Sequence, residues 1–263
     1  MTILATKQLL KQVDTITKHH KEMMFLKGEH FNIFSILGME SAENKTHSAF
    51  IGELLNPKGS HFMGTIFLEL FIDQVGLPED FEIKTASLTL EKYIGPRDDV
   101  AKSGGRIDIY LADGAGRTIS IENKIYAGDQ NTQIERYCSH NKKKNTVFYL
   151  TLEGDEASKA SRGNLKASEE YHPISYEVDI LEWLLACQKE AVQHETIRDS
   201  IGQYINLIKK LTHQLSNHQM KEETNKLIAQ NYESAQHIAG QIEEVEKEAI
   251  ETFFEDVGKK VID

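Results

Sequence analysis

The chain has 263 residues, 40% of them hydrophobic and 27% charged, which suits a globular protein with a substantial core rather than a disordered one. No apolar run approaches the roughly 18 residues that span a bilayer, MTILATKQLLKQ lacks the ordered parts of a cleavable signal, and two distant cysteines, Cys138 and Cys187, suggest neither a disulfide framework nor a zinc cluster, so a cytoplasmic location is expected. The net charge of −11 opposes nucleic acid as a partner, but 11 acids and only 5 lysines fall in residues 221–263, and the rest carries 30 acids and 25 basic residues, so charge alone excludes nothing.

Residues 5–27 read as a helix, with Leu9, Leu10, Val13, Ile16 and Thr17 on one side. The apolar segment FNIFSILG follows and closes at Gly38, a helix-ending residue. A helix over 48–55 stops before the turn Asn56-Pro57-Lys58-Gly59, and another is predicted over 65–75. The pattern then changes to strand-like runs at 87–93, 106–111, 117–125 and 146–152, with a fifth at 173–178. A helix over 129–141 separates the third run from the fourth, with Asp129 at its cap and Thr132 in its first turn. Residues 154–170 are polar and small, as in a surface loop. From 179 onward everything reads helical, including 180–187 and 200–211. Over 226–257, Ile228, Tyr232, Ala235, Ala239, Ile242, Ile250 and Phe253 mark one long amphipathic helix or a helix pair. Helices, a small sheet with an inserted helix, then helices again make an α/β or α+β domain.

Chemistry concentrates in two adjacent runs. In GRIDIYL, residues 105–111, Ile107, Ile109 and Leu111 alternate with Arg106, Asp108 and Tyr110. In RTISIENKI, residues 117–125, Ile119, Ile121 and Ile125 share one face, and Ser120, Glu122 and Lys124 the other. The turn-rich segment between them predicts an antiparallel hairpin. Symmetry about residues 114–116 sets Leu111 opposite Ile119, Ile109 opposite Ile121, and Asp108 opposite Glu122. Opposed carboxylates, about 4.5–5.5 Å apart at Cβ, repel unless positive charge lies between them. Lys124 supplies part of that charge, and a hard divalent cation such as Mg²⁺ supplies more. A metal-activated water beside an ammonium suits phosphodiester hydrolysis. The competing reading is a cross-strand ion cluster on a solvated face. Glu82-Ile83-Lys84 shows that Glu-x-Lys recurs by chance, although no strand with an inward aspartate precedes it.

At these residues the chain resembles the PD-(D/E)XK nuclease superfamily, and within it a bacterial branch that includes defence-associated proteins. The branch's features stand here as FNIF (31–34), ENKTHS (43–48), LLNPKGSH (54–61), GRIDI (105–109), IENKI (121–125) and DQNTQIERY (129–137). With DILEWLLAC and QYINLIKKLT included, the likeness covers roughly residues 31–215. It implies a restriction-endonuclease-like α/β core, a small mixed β-sheet flanked by helices. Residues 1–215 would form that domain and residues 216–263 a C-terminal amphipathic helical extension.

The resemblance further implies a Mg²⁺- or Mn²⁺-dependent nuclease that hydrolyses phosphodiester bonds, with DNA favoured over RNA, through a metal-activated water. Asp108 and Glu122 would bind the metal, joined by the backbone carbonyl of Asn123. Lys124 would be the catalytic lysine, and Glu43 and Gln133 would complete the catalytic set. Four positions separate Glu43 from His47 where related sequences often have three, so Glu40 competes with Glu43. Gln133 and Tyr137, at i and i+4, share a helix face, and core packing competes with a site role for Tyr137. His47 and His61 read as packing or hydrogen-bonding residues more readily than as zinc ligands. Arg106 reads as an ion-pair partner of the carboxylates or a phosphate contact, and Lys142–Lys144 as a solvated helix end or a phosphate contact. The C-terminal helix packs on its own domain or forms a homodimer. No membrane partner is expected. The alternative function is a catalytically silent or partner-activated binding module of the same fold in a bacterial defence system.

Overall fold

The computed structural model describes the backbone of residues 3–76 and 78–262 and the side chains of 4–76 and 78–253. Contacts divide the chain into two units, Phe31–His213 and Met1–His30 with Gln214–Asp263. The division proposed from sequence, 1–215 and 216–263, differs from this grouping chiefly in the first helix, which joins the C-terminal helices.

The larger unit is built on a five-stranded sheet in the order β1-β2-β3-β4-β5. Its strands are β1 (Ser87–Tyr93), β2 (Arg106–Ala112), β3 (Thr118–Asn123), β4 (Asn145–Thr151) and β5 (His172–Ser175). Strands β1 to β3 are antiparallel neighbours, while β4 and β5 run parallel to β3. A short turn suffices for the antiparallel pair β2–β3, whereas parallel strands need a crossover. The crossover from β3 to β4 carries α5 (Gln133–Ser139). The expected hairpin register is observed, with Ile109 opposite Ile121 and Leu111 opposite Ile119.

Alternation along β4 separates two cores. Phe148 and Leu150 join Ile109, Leu111, Ile119 and Ile121 in the larger cluster, with side chains from α3 (Ala49–Leu55), α4 (Ile66–Val75), α7 (Leu181–Glu190) and α8 (Glu195–Leu211). Val147 and Tyr149 point the other way, toward Ile134 and Tyr137 of α5. Ile107, expected beside Ile109, belongs to this second cluster. Its pairing explains the change: the β2–β3 ladder stops at Ile109, so the start of β2 is released from the hairpin's alternation.

Short helices α2 (Ile33–Ile36) and α6 (Lys159–Arg162) complete the larger unit, together with π-helical segments Glu43–Ser48 and Tyr176–Ile180. The helix predicted from 129 begins instead at Gln133, with Thr132 at its cap position in a left-handed conformation. Asp129 is unavailable as a cap because its carboxylate accepts hydrogen bonds from the Tyr149 hydroxyl and the Ser158 amide.

In the other unit, α1 (Ile3–Leu26) packs against α9 (Ser216–Gln230) and α10 (Tyr232–Ile262). The segment read as one helix or a pair is a pair, broken at Asn231. Ile242, Val245, Ile250 and Phe253 are exposed along α10. Among the described residues no helix is long and apolar enough to cross a membrane.

Trp183 anchors the larger core: it is fully buried, and its indole N–H donates to the Phe67 carbonyl at 2.8 Å. Trp183→Ala therefore removes a large buried side chain and orphans that carbonyl. A loss of about 3–5 kcal/mol is expected in urea denaturation followed by far-UV circular dichroism, and a loss near zero would contradict this packing.

Candidate active site

The end of β3 gathers the polar residues singled out in the sequence. Glu122, Asn123, Lys124 and Gln133 are all buried. The Lys124 ammonium lies 2.8 Å from Glu122 Oε1, and the Gln133 side-chain amide donates to the same oxygen at 2.6 Å. Asp108 sits at the neighbouring end of β2, where one carboxylate oxygen accepts the Asn123 backbone N–H at 2.8 Å. Where the ladder ends, the aspartate side chain thus takes over a backbone donor that β2 no longer pairs. Glycine is required at the position before Arg106 in GRIDI. Gly105 has φ +119°, and a Cβ there would lie 2.2 Å from Arg136 Nη1 of α5.

These groups do not balance electrically. Burial, with repulsion from Asp108 added, raises the Glu122 carboxyl from its ordinary 4.5 to about 8, against the opposing pull of Lys124. Burial likewise raises Asp108 to about 6, although the Asn123 amide and Lys124 oppose it. Burial lowers the Lys124 pKa, but attraction from Glu122, Asp108 and Glu43 outweighs that and leaves it raised, so Lys124 remains an ammonium. One lysine faces two largely buried carboxylates, and Glu122 Oε2 is buried with no hydrogen-bond partner.

Glu43 and Asn123 tie this strand end to the rest of the unit. One Glu43 carboxylate oxygen accepts the backbone N–H groups of Ile125, Tyr126 and Ala127 at 2.7, 3.1 and 3.0 Å. The chain leaving Lys124 is thereby fixed. Glu43 opens the π-helical segment Glu43–Ser48. Glu40 instead pairs with Lys210, so of the two competing acids Glu43 is the one at the strand end. The Asn123 side chain donates to Ser48 Oγ at 3.1 Å and accepts the Tyr176 hydroxyl at 2.8 Å. Tyr176 begins the second π-helical segment.

A model of the PD-(D/E)XK nuclease superfamily matches residues 31–206, about two thirds of the chain. The chain belongs to the PD-(D/E)XK nuclease superfamily. Neither the curated proteins nor the solved structures contain a match to it. The five-stranded mixed sheet with flanking helices is the restriction-endonuclease-like α/β fold of this superfamily.

The superfamily's nucleases generally use divalent metals, and the residues here fit such an ion. The donors are hard oxygens, one of them the unpartnered Glu122 Oε2. Among the described residues no three His, Cys, Asp or Glu side chains form a metal-holding group. A set of two carboxylates and a backbone carbonyl, completed by water, suits Mg²⁺ or Mn²⁺ rather than structural zinc.

The two histidines are committed elsewhere. His47 Nε2 faces the Glu40 carbonyl at 2.8 Å and therefore carries the proton, leaving Nδ1 to accept from the Tyr204 hydroxyl at 2.8 Å. His61 Nδ1 accepts the Met63 amide and Nε2 donates to the Asn56 carbonyl. Tyr137 combines both readings made of it: it is buried in the second core, and its hydroxyl meets Gln133 and the Arg106 carbonyl. Arg106 pairs with Glu91 at 3.6 Å rather than with the site carboxylates. Lys142–Lys144 precede β4, whose start pairs with the start of β3, the end remote from Glu122. Ser48 and Tyr176 carry no local sequence signal toward the site, because their partner Asn123 is 75 and 53 residues away.

The charge imbalance has a measurable sign. Glu122 ionises near 4.5 when unfolded and near 8 when folded, so its contribution to stability is complete below 4.5 and is lost as pH rises through 8. In EDTA the melting temperature is expected to fall across that window, with Asp108 adding to the lower part. Glu122→Gln should flatten most of the slope, and a wild-type profile without slope would contradict the reading.

Proposed function

We propose that the protein is a metal-dependent nuclease that hydrolyses phosphodiester bonds, with DNA favoured over RNA, at a site formed by Asp108, Glu122, Lys124, Gln133 and Glu43. The observation that carries this reading is the buried Glu122–Lys124 pair beside Asp108, with Glu122 Oε2 left without a partner. A mere surface ion cluster would be solvated, whereas this one is held dry at a cost that structure alone does not repay. Asp108, Glu122 and the Asn123 carbonyl would hold Mg²⁺ or Mn²⁺. Such an ion, when bound, polarises a phosphoryl oxygen and lowers the pKa of water.

The chain's own groups divide the remaining work. Lys124, kept protonated, presents positive charge to the phosphoryl oxygens as negative charge develops on them. Gln133 holds Glu122 Oε1 in place from α5, and Glu43 fixes the backbone that follows Lys124. DNA preference and a role in bacterial defence rest on the superfamily resemblance. Lys124→Ala is expected to slow cutting of linear and circular DNA by about 10²–10³-fold or more, with EDTA abolishing the wild-type reaction. Glu40→Ala should leave cutting unchanged. Clean wild-type protein that cuts nothing would favour the binding-module reading, and cutting that survives Lys124→Ala would place the chemistry elsewhere.

A further inference from the structure

Gln133 orients Glu122, and the chain before α5 orients Gln133. The Gln133 amide nitrogen donates to Glu122 Oε1, while its side-chain oxygen accepts the backbone N–H of Gln130 at 3.3 Å. Turned over, the amide would set oxygen against oxygen at Glu122 and nitrogen against N–H at Gln130. The Gln130 N–H therefore decides which way the amide stands. A second bond closes the pair in the other direction, from the Gln133 N–H to the Gln130 carbonyl at 3.3 Å.

Gln130 is itself held from two sides. Its side-chain oxygen accepts from two guanidinium groups, Arg97 Nη1 at 3.1 Å and Arg136 Nη2 at 3.3 Å. Arg97, on the segment between β1 and β2, also makes a two-point pair with Asp99 at 2.8 and 2.7 Å. The Arg136 side chain, on α5, is wholly buried. Its Nη1 donates at 2.8 Å to the Gly104 carbonyl, in the stretch that leads into Asp108. One guanidinium thus joins the approach to Asp108 to the segment that orients Gln133. The arrangement is costly, because Arg136 Nε has no hydrogen-bond partner and stands 3.7 Å from Asp99 Oδ1. Burying a cation with an incomplete set of partners lowers stability, whereas a neutral contact would join two loops without that penalty. What arginine adds is fixed geometry, with its donors set in one rigid plane.

Building on the nuclease reading, we infer that Gln130 and Arg136 are positioning residues of the site. They act on Glu122 through Gln133 and on the approach of Asp108 through the Gly104 carbonyl, and so keep the two carboxylates placed for a divalent cation. The test uses the full chain and two readouts. Heteronuclear NMR in EDTA follows the Gln133 side-chain amide, assigned by its loss in Gln133→Leu, and titration of Mn²⁺ into stripped protein gives the affinity. Gln130→Ala, at an exposed position, should fold as wild type by circular dichroism. It should nevertheless shift the Gln133 amide resonances and weaken Mn²⁺ binding by about tenfold or more, the effect of losing a partner behind a metal ligand. Gln130→Glu, which keeps an oxygen between the two guanidinium groups, should retain both. Arg136→Lys keeps the charge but loses the fork and should resemble Gln130→Ala; if it does not fold, Gln130→Ala decides alone. In a folded Gln130→Ala, unmoved Gln133 resonances or wild-type Mn²⁺ affinity would overturn the inference. Metal-dependent cutting that is lost in Lys124→Ala would leave the nuclease reading standing in that event. Wild-type protein that binds no Mn²⁺ and cuts nothing would bring down both.

Discussion

The end of β3 is governed by a charge that the protein does not neutralise itself. Glu122 and Asp108 are held largely out of water with a single ammonium nearby, paired with Glu122. Burying a carboxylate without a full complement of partners is costly, and both carboxyls respond by holding their protons to higher pH. Elsewhere in the larger unit, acids with comparable access to a cation behave in the opposite way. Asp113, which accepts two backbone amides and pairs with Arg117, is held below its ordinary value. The contrast marks the β3 end as a place where folding leaves a deficit of positive charge.

Much of the surrounding architecture keeps that deficit in place. The parallel crossover lays α5 against the second core, so Gln133 reaches Glu122 and Tyr137 reaches the start of β2. Two π-helical segments bring Glu43, Ser48 and Tyr176 against Asn123 and the backbone beyond Lys124. Asp108 closes the ladder by binding the Asn123 amide with one oxygen. The strand end that carries the carboxylates is therefore fixed from the sheet, from α5 and from both π-segments. Such pre-organisation is what electrostatic catalysis requires.

The parts legible in the sequence are those set by local periodicity. The alternation of GRIDIYL and RTISIENKI, with a five-residue turn between them, determined both the hairpin and its register from Ile109 to Ala112; the expected pairing of Asp108 with Glu122 falls just past the ladder's end, where Asp108 takes the Asn123 amide instead. Gln133 was accessible through the resemblance of its helix to the superfamily's Gln-x-x-x-Tyr segment, not through any local periodicity. The misplacements have a common origin in long-range contacts. Asp129 looks like a helix cap by residue type, but Tyr149 and Ser158 compete for its carboxylate. Ile107 follows the alternation in sequence but leaves it where β2 parts from β3. Glu43 and Glu40 are told apart by partners distant in sequence, the amides of 125–127 for Glu43 and Lys210 for Glu40, which no short-range pattern announces. Ser48 and Tyr176 become site residues only once strands distant in sequence are laid side by side.

On the proposed function, a divalent cation would supply the missing charge. Isothermal titration of Mn²⁺ into EDTA-stripped protein tests it most directly, comparing wild type with the double variant Asp108→Asn, Glu122→Gln. The account predicts saturable binding to the wild type, tighter at pH 8 than at pH 5, and its loss in the double variant with the fold retained by circular dichroism. Binding that persists undiminished in the double variant, or no binding to the wild type at pH 8, would contradict it.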